Sequence, residues 1–209
     1  LEQGELVRVK TNLPGQFSVY NALAAIACAR LLGVPLADAA AALETSHGAK
    51  GRVEPVPTDG DYSIFIDYAV TPDAIENVLT TLRGIAPKRL VMLFGAGGDR
   101  DRKKRPIMGK ISADIADFVI VTSDNPRTED PMSIIEEILP GVREGKAPYK
   151  VICDRREAIR WAIDHHQPGD VILLCGKGHE DYQIIGHEKI HMDEREIVAE
   201  YLAERAKRG

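Results

Sequence analysis

The tetrapeptide Asp124-Asn125-Pro126-Arg127 brings together residue types that can bind a charged small molecule. It follows the apolar run 118–121, which has the composition of a buried strand. Open α/β sheets bind ligands in the loops after the carboxyl ends of their strands. Arg127 carries a planar guanidinium that holds a carboxylate through two hydrogen bonds. The tetrapeptide therefore predicts a carboxylate-binding loop, although Asp, Asn and Pro also favour a plain turn.

Two further charged loops follow other predicted strands. Residues 95–100 (Gly-Ala-Gly-Gly-Asp-Arg) precede a helix that begins near Arg105 and Pro106, and an arginine there adds a cation to a backbone anion site. The segment Gly176-Lys177-Gly178-His179-Glu180 combines two flexible glycines with a glutamate that can hold an ammonium group. Each loop alone fits a glycine turn or a charged loop tip equally well. Because all three follow neighbouring strands, we expect one pocket for a small zwitterion with more than one carboxylate.

Several kinds of catalytic site are absent from the sequence. It contains neither a nucleophile elbow nor a G-x-x-x-x-G-K-[ST] phosphate loop. His165 and His166 lie at a predicted helix end, where cationic side chains favour the helix dipole, and no residues have metal-ligand spacing. We therefore expect no metal site and no catalytic centre of these kinds in this sequence.

The elements that must position these loops alternate regularly after Arg52. The predicted strands are 62–66, 89–94, 118–122, 149–153 and 171–175, and the predicted helices are 72–82, 106–116, 131–142 and 155–165. This alternation indicates βαβ units and a Rossmann-like α/β fold, with a mostly parallel sheet and helices on both faces. Residues 183–186 and 189–192 predict a hairpin, and 194–206 predict a last helix.

Residues 1–50 have a different pattern. Weak alternation over 1–10 predicts a strand, and apolar residues at helical spacing predict helices over 18–32 and 36–44, with Gly33 ending the first. One strand and two helices cannot bury a core of their own. We therefore expect 1–50 to be the helical remnant of a domain whose body is absent, 51–209 to be a second domain, and 47–51 to be a hinge.

Composition narrows the class of protein. The 209 residues are 44% apolar and carry a formal net charge of −5, without a basic tract that would bind nucleic acid. No apolar run reaches the roughly 20 residues of a membrane helix. Cys28, Cys153 and Cys175 lie far apart in apolar stretches and predict buried free thiols. We expect a cytoplasmic protein that neither inserts into membranes nor binds nucleic acid.

Six stretches jointly resemble the Mur ligase family, in particular its meso-diaminopimelate-adding members. They are residues 13–21, 51–54, 67–73, 97–106, 124–127 and 176–180. The resemblance implies three domains in the whole ligase, which bind UDP, ATP and an amino acid. This chain resembles the end of the second and all of the third, so the family's phosphate loop, modified lysine and magnesium ligands would lie elsewhere. The resemblance thus implies a chain that is inactive alone and carries the amino-acid pocket.

The resemblance also implies roles for individual residues. In the family, the motif at Asp124, Asn125, Pro126 and Arg127 recognises meso-diaminopimelate, and further contacts would fall on Arg105, Gly176 and Glu180. Arg127 would select this amino acid, because L-lysine lacks the second carboxylate. Nucleotide contacts would fall on Asn21, Arg52 and Asp67. Val70 and Ser18 depart from the family pattern of His and Asn, which concerns the ATP contacts and not the amino-acid pocket.

The reaction implied by the resemblance is ATP- and Mg²⁺-dependent amide formation in peptidoglycan synthesis. The D-glutamate carboxylate of UDP-N-acetylmuramoyl-L-Ala-D-Glu is phosphorylated, and an amine of meso-diaminopimelate then attacks it. Two alternatives remain open at this point. One is a stand-alone amino-acid or nucleotide binding module. The other is a related ligase that adds lysine or glutamate, which would leave Arg127 unexplained.

Overall fold

The computed structural model describes residues 6–11, 13–46 and 48–208, which form two compact units, Leu1–Ala49 and Lys50–Gly209. The first unit contains helices α1 (Gln16–Leu31) and α2 (Leu36–Glu44). Gly33 follows α1 with a φ of 87°, the left-handed backbone expected of a glycine that ends a helix. The expectation of a strand over 1–10 is wrong for residues 6–10, which form no strand, and residues 1–5 lie outside the described part.

Helix α1 exposes most of its large apolar side chains. These include Phe17, Val19, Tyr20, Leu23 and Leu31, whereas Ser18 is the residue that α1 buries. Its hydroxyl donates to the Pro14 carbonyl at 2.7 Å, which explains how a polar side chain is tolerated there.

The second unit is built on a six-stranded sheet with the order β1-β2-β6-β3-β4-β5. Its strands are β1 (Glu54–Val56), β2 (Ser63–Asp67), β3 (Leu90–Phe94), β4 (Phe118–Val121), β5 (Tyr149–Val151) and β6 (Val171–Cys175). All neighbours pair in parallel except β1, which is antiparallel to β2. The predicted fold class is confirmed. The sequence pattern missed β1, because a three-residue strand containing Pro55 gives no strand signal and is tolerated only at a sheet edge.

Helices cover both faces of this sheet, and two antiparallel strands follow it. The helices are α3 (Pro72–Arg83), α4 (Lys104–Ile115), α5 (Pro131–Glu144), α6 (Arg155–Asp164) and α7 (Glu194–Arg208). Strands β7 (Tyr182–Ile185) and β8 (Glu188–His191) form the predicted hairpin. Helices α3, α4 and α5 pack on one face of the sheet, and α6 and α7 pack on the other. Alternate residues of β3 supply each face, with Leu90, Met92 and Phe94 on one side and Val91 and Leu93 on the other.

The helix starts follow the signals in the sequence. Thr71, Asp130 and Asp154 each accept a hydrogen bond from the backbone N–H three residues later, which caps α3, α5 and α6. These caps fix where each helix leaves the carboxyl edge of the sheet. The cysteines differ from the expectation: Cys175 is buried, Cys153 is half-buried and Cys28 is exposed, because its helix α1 buries so few of its side chains.

Candidate functional site

Three loops meet at the carboxyl edge of the sheet, because they follow the neighbouring strands β6, β3 and β4. The Gly98 N–H donates to the Asn125 carbonyl at 2.9 Å. A Cβ added at Gly98 would lie 1.8 Å from the Pro126 carbonyl oxygen, and one added at Gly95 would lie 2.3 Å from that of Thr122. These glycines therefore let the loop after β3 pack directly on residues 124–127.

Arg127 is fixed by its backbone and leaves part of its side chain open. Its φ of 53° is unusual for a residue with a side chain. Its N–H donates to the Ile184 carbonyl at 3.0 Å, and its own carbonyl accepts from the Gly186 N–H at 2.7 Å, so the hairpin fixes the residue. Nη1 donates to the Gly98 carbonyl at 2.8 Å. Within the described ranges, Nε and Nη2 have no protein acceptor, which leaves one edge of the fork for a carboxylate.

Asn125 lies at the centre of a buried polar network. Its Nδ2 donates to Glu180 Oε2 at 2.8 Å, and its Oδ1 accepts from the Ile184 N–H at 2.9 Å and from Lys177 Nζ at 3.2 Å. Lys177 Nζ also lies 3.2 Å from Glu180 Oε2, and the Tyr182 hydroxyl donates to Glu180 Oε1 at 3.3 Å. Lys177 is fully buried, and the side chain of Glu180 is 10% exposed. The network thus orders an amide and a carboxylate before any ligand arrives.

Asp124 supplies a second carboxylate beside Glu180's loop. Its Oδ1 accepts from the Asn125 N–H at 2.6 Å. A Cβ added at Gly176 would lie 2.6 Å from Asp124 Oδ2, and the φ of Gly176 is 114°, so a side chain does not fit there. Gln183 of the hairpin donates to the Asp124 carbonyl at 2.7 Å. Asp124, Asn125, Pro126, Arg127, Gly176 and Glu180, all expected at one site, are brought together at this edge.

Arg105 differs from the expectation that it offers a cation to a ligand. Its side chain has no exposed surface, and its Nη atoms lie 2.8 Å from carboxylate oxygens of Glu129 and Glu137. Nη2 also donates to the Gly97 carbonyl at 3.2 Å. The Arg105 guanidinium lowers the pKa of Glu129 to about 2, chiefly through its hydrogen bonds to the Glu129 carboxylate. Arg105 therefore braces the glycine loop, because Glu129 and Glu137 already occupy its Nη donors.

A different arginine is exposed beside Arg127. A Cβ added at Gly97 would lie 2.9 Å from Arg127 Nη1 and 3.6 Å from the Cγ of Arg100. Arg100 is exposed, and its Nη1 donates to the Asp99 carbonyl at 3.2 Å. The side chains of Arg100 and Arg127 thus flank the same glycine. Arg100 is the better candidate for a second cation that can reach a ligand.

The residues expected to contact a nucleotide differ in their surroundings. Arg52 is exposed, with its guanidinium carbon 5.5 Å from the centre of the Tyr68 ring. Asp67, at the end of β2, is buried, and its Oδ2 accepts from the Val53 N–H at 2.8 Å. Burial raises the pKa of the Asp67 carboxyl above its ordinary value, against that hydrogen bond and the charge of Arg52. Asn21 is an exposed residue of α1 in the other compact unit.

The family becomes clear from comparison with known proteins. The family described as "Mur ligase, glutamate ligase domain" matches residues 51–178, more than half of the chain. The chain belongs to the Mur ligase family. The resemblance drawn from the six sequence stretches is therefore confirmed.

Relatives of this Mur ligase chain with curated names agree with one another. UDP-N-acetylmuramoyl-L-alanyl-D-glutamate–2,6-diaminopimelate ligase of Caldanaerobacter subterraneus subsp. tengcongensis is 53% identical over 206 residues, which cover 98% of this chain and 42% of that protein. The ligase of the same name from Trichormus variabilis is 50% identical over 203 residues, 96% of this chain and 41% of its own length. A solved structure of such a diaminopimelate ligase is 39% identical, with a TM-score of 0.74 over 95% of this chain and 40% of that one. The chain thus spans about two fifths of the relatives that it matches.

Three side chains that order the candidate site of the Mur ligase chain were not singled out by sequence reasoning. Lys177 lies inside the Gly176–Glu180 motif, and its inward direction depends on flanking glycines with positive φ. Glu129 lies two residues after Arg127, but its partner Arg105 is 24 residues away. The sequence pattern indicates only that Arg155 begins α6. Of these three, only Lys177 lies inside a motif that the sequence pattern singled out.

Arg155 ties together the strand ends that carry the site. It is fully buried, and it donates to the carbonyls of Ser123 after β4 (3.2 Å) and Cys175 at the end of β6 (2.8 Å). Its Nε donates to Glu194 Oε1 at 2.9 Å, at the start of α7. This buried pair fixes the spacing between the loop of Asn125 and the loop of Glu180.

Two further properties concern the described part of the chain, residues 6–11, 13–46 and 48–208. None of its helices combines the length and the apolar character needed to cross a membrane. Within the same ranges, no three His, Cys, Asp or Glu side chains are grouped so that they could hold a metal ion.

Proposed function

We propose that this chain is the amino-acid-binding part of a cytoplasmic ligase that adds meso-diaminopimelate to UDP-N-acetylmuramoyl-L-Ala-D-Glu in peptidoglycan synthesis. The observation that carries the proposal is the open edge of the Arg127 guanidinium beside the ordered pair of Asn125 and Glu180. A ligand end that carries both a carboxylate and an ammonium group satisfies these two features together. The names of the relatives support the same amino acid.

The proposed contacts follow from the charges at the site. Arg127 binds the carboxylate at the far end of meso-diaminopimelate through Nε and Nη2. The second hydrogen of Asn125 Nδ2 adds a neutral donor, and Glu180 and Asp124 accept from the ammonium group of the same end. We propose Arg100 as the second cation, in place of Arg105, because Arg105 is fully buried between two glutamates. Pro126 and Gly176 lie where the loops pack closely, Pro126 against Gly98 and Gly176 against Asp124.

The part of this chain in amide formation is orientation. Holding the carboxylate and the ammonium group of one end of meso-diaminopimelate fixes the other end of the molecule, whose amine then points away from the sheet edge. Pre-ordering a nucleophile in this way lowers the barrier by removing translational and rotational freedom before the reaction. None of the residues proposed here exchanges a proton with the reacting atoms, so the proposal assigns no catalytic residue to this chain.

ATP, when bound, supplies the activation of the D-glutamate carboxylate in this proposal. Arg52 fits a nucleotide contact, because its guanidinium is exposed, and Asp67 fits a role in fixing the backbone at Val53 beside it. Asn21 is proposed as a third contact. Among the described residues no three His, Cys, Asp or Glu side chains are grouped around a metal position, and we propose that Mg²⁺ and most of the ATP site belong to the part of the ligase outside this chain.

The alternatives make different demands on Arg127. In a lysine-adding ligase, the open edge of the Arg127 guanidinium would face no side-chain carboxylate. Binding would then desolvate this cation without pairing it, which costs affinity. A stand-alone binding module would use the same pocket without a reaction. The relatives named as diaminopimelate ligases favour the first proposal over both.

Calorimetry with the 209-residue chain tests the proposed ligand. The wild type is expected to bind meso-diaminopimelate more tightly than L-lysine, and Arg127→Met is expected to lose about 2 kcal/mol of binding free energy for meso-diaminopimelate, roughly 30-fold. L-Lysine binding should change little. The matched control is Arg143→Met, an exposed arginine at the end of α5 that donates to the Tyr149 hydroxyl. Equal affinity of the wild type for both amino acids would overturn the proposal.

A further inference from the structure

Lys177 is a buried cation between the two proposed ligand contacts. Its side chain has no exposed surface, and its Nζ lies 3.2 Å from both Asn125 Oδ1 and Glu180 Oε2. The Nζ also lies 5.7 Å from the centre of the Tyr182 ring, within the range of a cation–π contact. Burying an ammonium is costly unless it is paired and hydrogen-bonded, so these partners together keep Lys177 inside.

Two glycines with left-handed backbone conformation flank Lys177. It lies between Gly176, with a φ of 114°, and Gly178, with a φ of 53°. A Cβ at Gly178 would lie 2.4 Å from the Cβ of Tyr68, and Gly178 also packs against Gly51. Because neither glycine position accepts a side chain, the loop backbone on both sides of Lys177 is constrained, and from it the Nζ reaches Asn125 and Glu180.

The contacts of Lys177 decide how the Asn125 carboxamide is oriented. Its Oδ1 receives two donors, Lys177 Nζ and the Ile184 N–H, while Nδ2 faces the Glu180 carboxylate. A flipped carboxamide would direct Nδ2 at an ammonium and an N–H, and Oδ1 at a carboxylate, so every contact would become unfavourable. In the orientation that these contacts fix, both acceptor positions of Oδ1 are used, and the second hydrogen of Nδ2 is the remaining donor of the carboxamide.

We propose that Lys177 is a positioning residue for amino-acid binding, which acts by fixing the carboxamide of Asn125 and the carboxylate of Glu180. This inference rests on the proposed function of the same site. Without the ammonium, one of the two donors that orient Oδ1 is lost, and Glu180 Oε2 keeps only the amide of Asn125. Asn125 then samples both orientations, and the site loses its fixed donor. Lys177 does not itself touch the ligand in this proposal.

A double-mutant cycle measured by calorimetry with meso-diaminopimelate tests the role. Lys177→Met is expected to weaken binding about tenfold or more, because it disorders a charge-assisted network. In an Asn125→Ala background, the same substitution is expected to have a smaller effect, since one of its two targets, the Asn125 carboxamide, is already gone. Lys150→Met is the control, because Lys150 lies on β5 at 5.2 Å from the Trp161 ring. Equal effects of Lys177→Met in both backgrounds, or unchanged binding, would overturn the proposal.

A second measurement separates positioning from a purely structural part. The side-chain amide protons of Asn125 are expected to give one sharp, slowly exchanging pair of NMR resonances in the wild type, and a broadened or shifted pair in Lys177→Met. If that variant does not fold, Lys177→Gln, which keeps a donor without the charge, replaces it in the cycle. If neither Lys177→Met nor Lys177→Gln folds, Lys177 is needed for the fold itself, and the proposal is contradicted. Wild-type protein that does not bind meso-diaminopimelate contradicts the proposed function instead, and the amide resonances still test the positioning of Asn125.

Discussion

The cationic side chains at the carboxyl edge of the sheet differ in which acceptors surround them. Arg105 and Arg155 are fully buried and bonded to glutamates and backbone carbonyls, so they hold loops together. Arg127 has one bonded Nη and one open edge, which suits it to a ligand. Lys177 is buried like the first pair but bonded to residues of the proposed site. The role of each cation therefore follows from its acceptors and not from its residue type.

The first prediction concerns the pH dependence that Glu129 contributes to stability. Its pKa in the folded protein, about 2, lies below the ordinary value of 4.5, chiefly because of its hydrogen bond from Arg105. A lowered folded-state pKa contributes stability above the unfolded-state pKa and loses it as the pH falls. Glu129→Gln should therefore lower the free energy of unfolding at pH 6, and the difference from wild type should shrink between about pH 4.5 and pH 2. Urea unfolding at a series of pH values measures this difference.

Glu136→Gln, an exposed change on α5, is the matched control for Glu129. Its difference from wild type should be small and nearly constant over the same pH window, as expected for an exposed side chain away from a buried ion pair. A Glu129 difference that stays constant with pH would show that the Arg105 ion pair does not stabilise the fold.

Sequence reasoning pointed to the loops of the candidate site but could not distinguish the surroundings of its arginines. The loops at 124–127 and 176–180 were recognisable because Gly, Asp and Arg follow apolar runs at strand ends. Arg105 and Arg127 look equivalent in sequence, and only Glu129 and Glu137, 24 and 32 residues from Arg105, distinguish them. Such tertiary ion pairs depend on how α4 and α5 pack, which no local pattern encodes.

At the scale of elements, periodicity predicted every helix from α1 to α7 and the parallel strands, with ends that differ by a few residues. The strand expected over residues 1–10 does not form at residues 6–10, because the alternation is weak and no neighbouring strand pairs with them among the described residues. The strand β1 was missed for the opposite reason: pairing with β2 holds a short segment that has Pro55 at its centre. In both cases the presence or absence of a partner strand, and not the local sequence, decided whether a strand formed.

The close crossing of α4 and α5 gives the second prediction. A Cβ added at Gly141 in α5 would lie 1.7 Å from the Pro106 carbonyl oxygen of α4, so the helices would have to separate. Gly141→Ala should lower the free energy of unfolding by about 2 kcal/mol, because an overpacking cost of about 3 kcal/mol outweighs the roughly 1 kcal/mol that alanine gains in a helix. Since α5 follows the 124–127 loop, separation should also weaken amino-acid binding. Urea unfolding and calorimetry measure the two effects.

Gly84→Ala supplies the control for the helix crossing. Gly84 follows α3 with a φ of −66°, and an added Cβ would come no closer than 3.4 Å to another atom, the Thr81 carbonyl oxygen. This substitution should change stability by less than about 1 kcal/mol, or raise it by limiting the unfolded chain. Equal effects at both glycines would mean that the helices adjust freely and that their crossing does not position the loop.

At the scale of the whole molecule, the second compact unit contains everything that the proposed amino-acid site needs. Both apolar clusters of the sheet draw their buried members from residues 53–201. Arg127, Asn125, Lys177 and Glu180 all lie within Lys50–Gly209. The sequence-based division at 50 and 51 remains a proposal about domains, but the unit that begins at Lys50 has its own core. Only Asn21, a proposed nucleotide contact, lies in the first unit.

The third prediction follows from this division. A protein consisting of residues 50–209 should unfold in a single cooperative transition, because a unit of this size with two buried clusters holds its fold without additional chain. It should bind meso-diaminopimelate with the same affinity as the 209-residue chain, since every proposed contact to the amino acid is retained. Circular dichroism during urea unfolding and calorimetry measure these properties, with Arg127→Met in the shorter protein as the control for specific binding. A broad, non-cooperative transition would mean that residues 50–209 do not hold their fold without residues 1–49. Affinity that falls as far as Arg127→Met lowers it would mean that residues 1–49 contribute to amino-acid binding, and the proposed site would then have to include them.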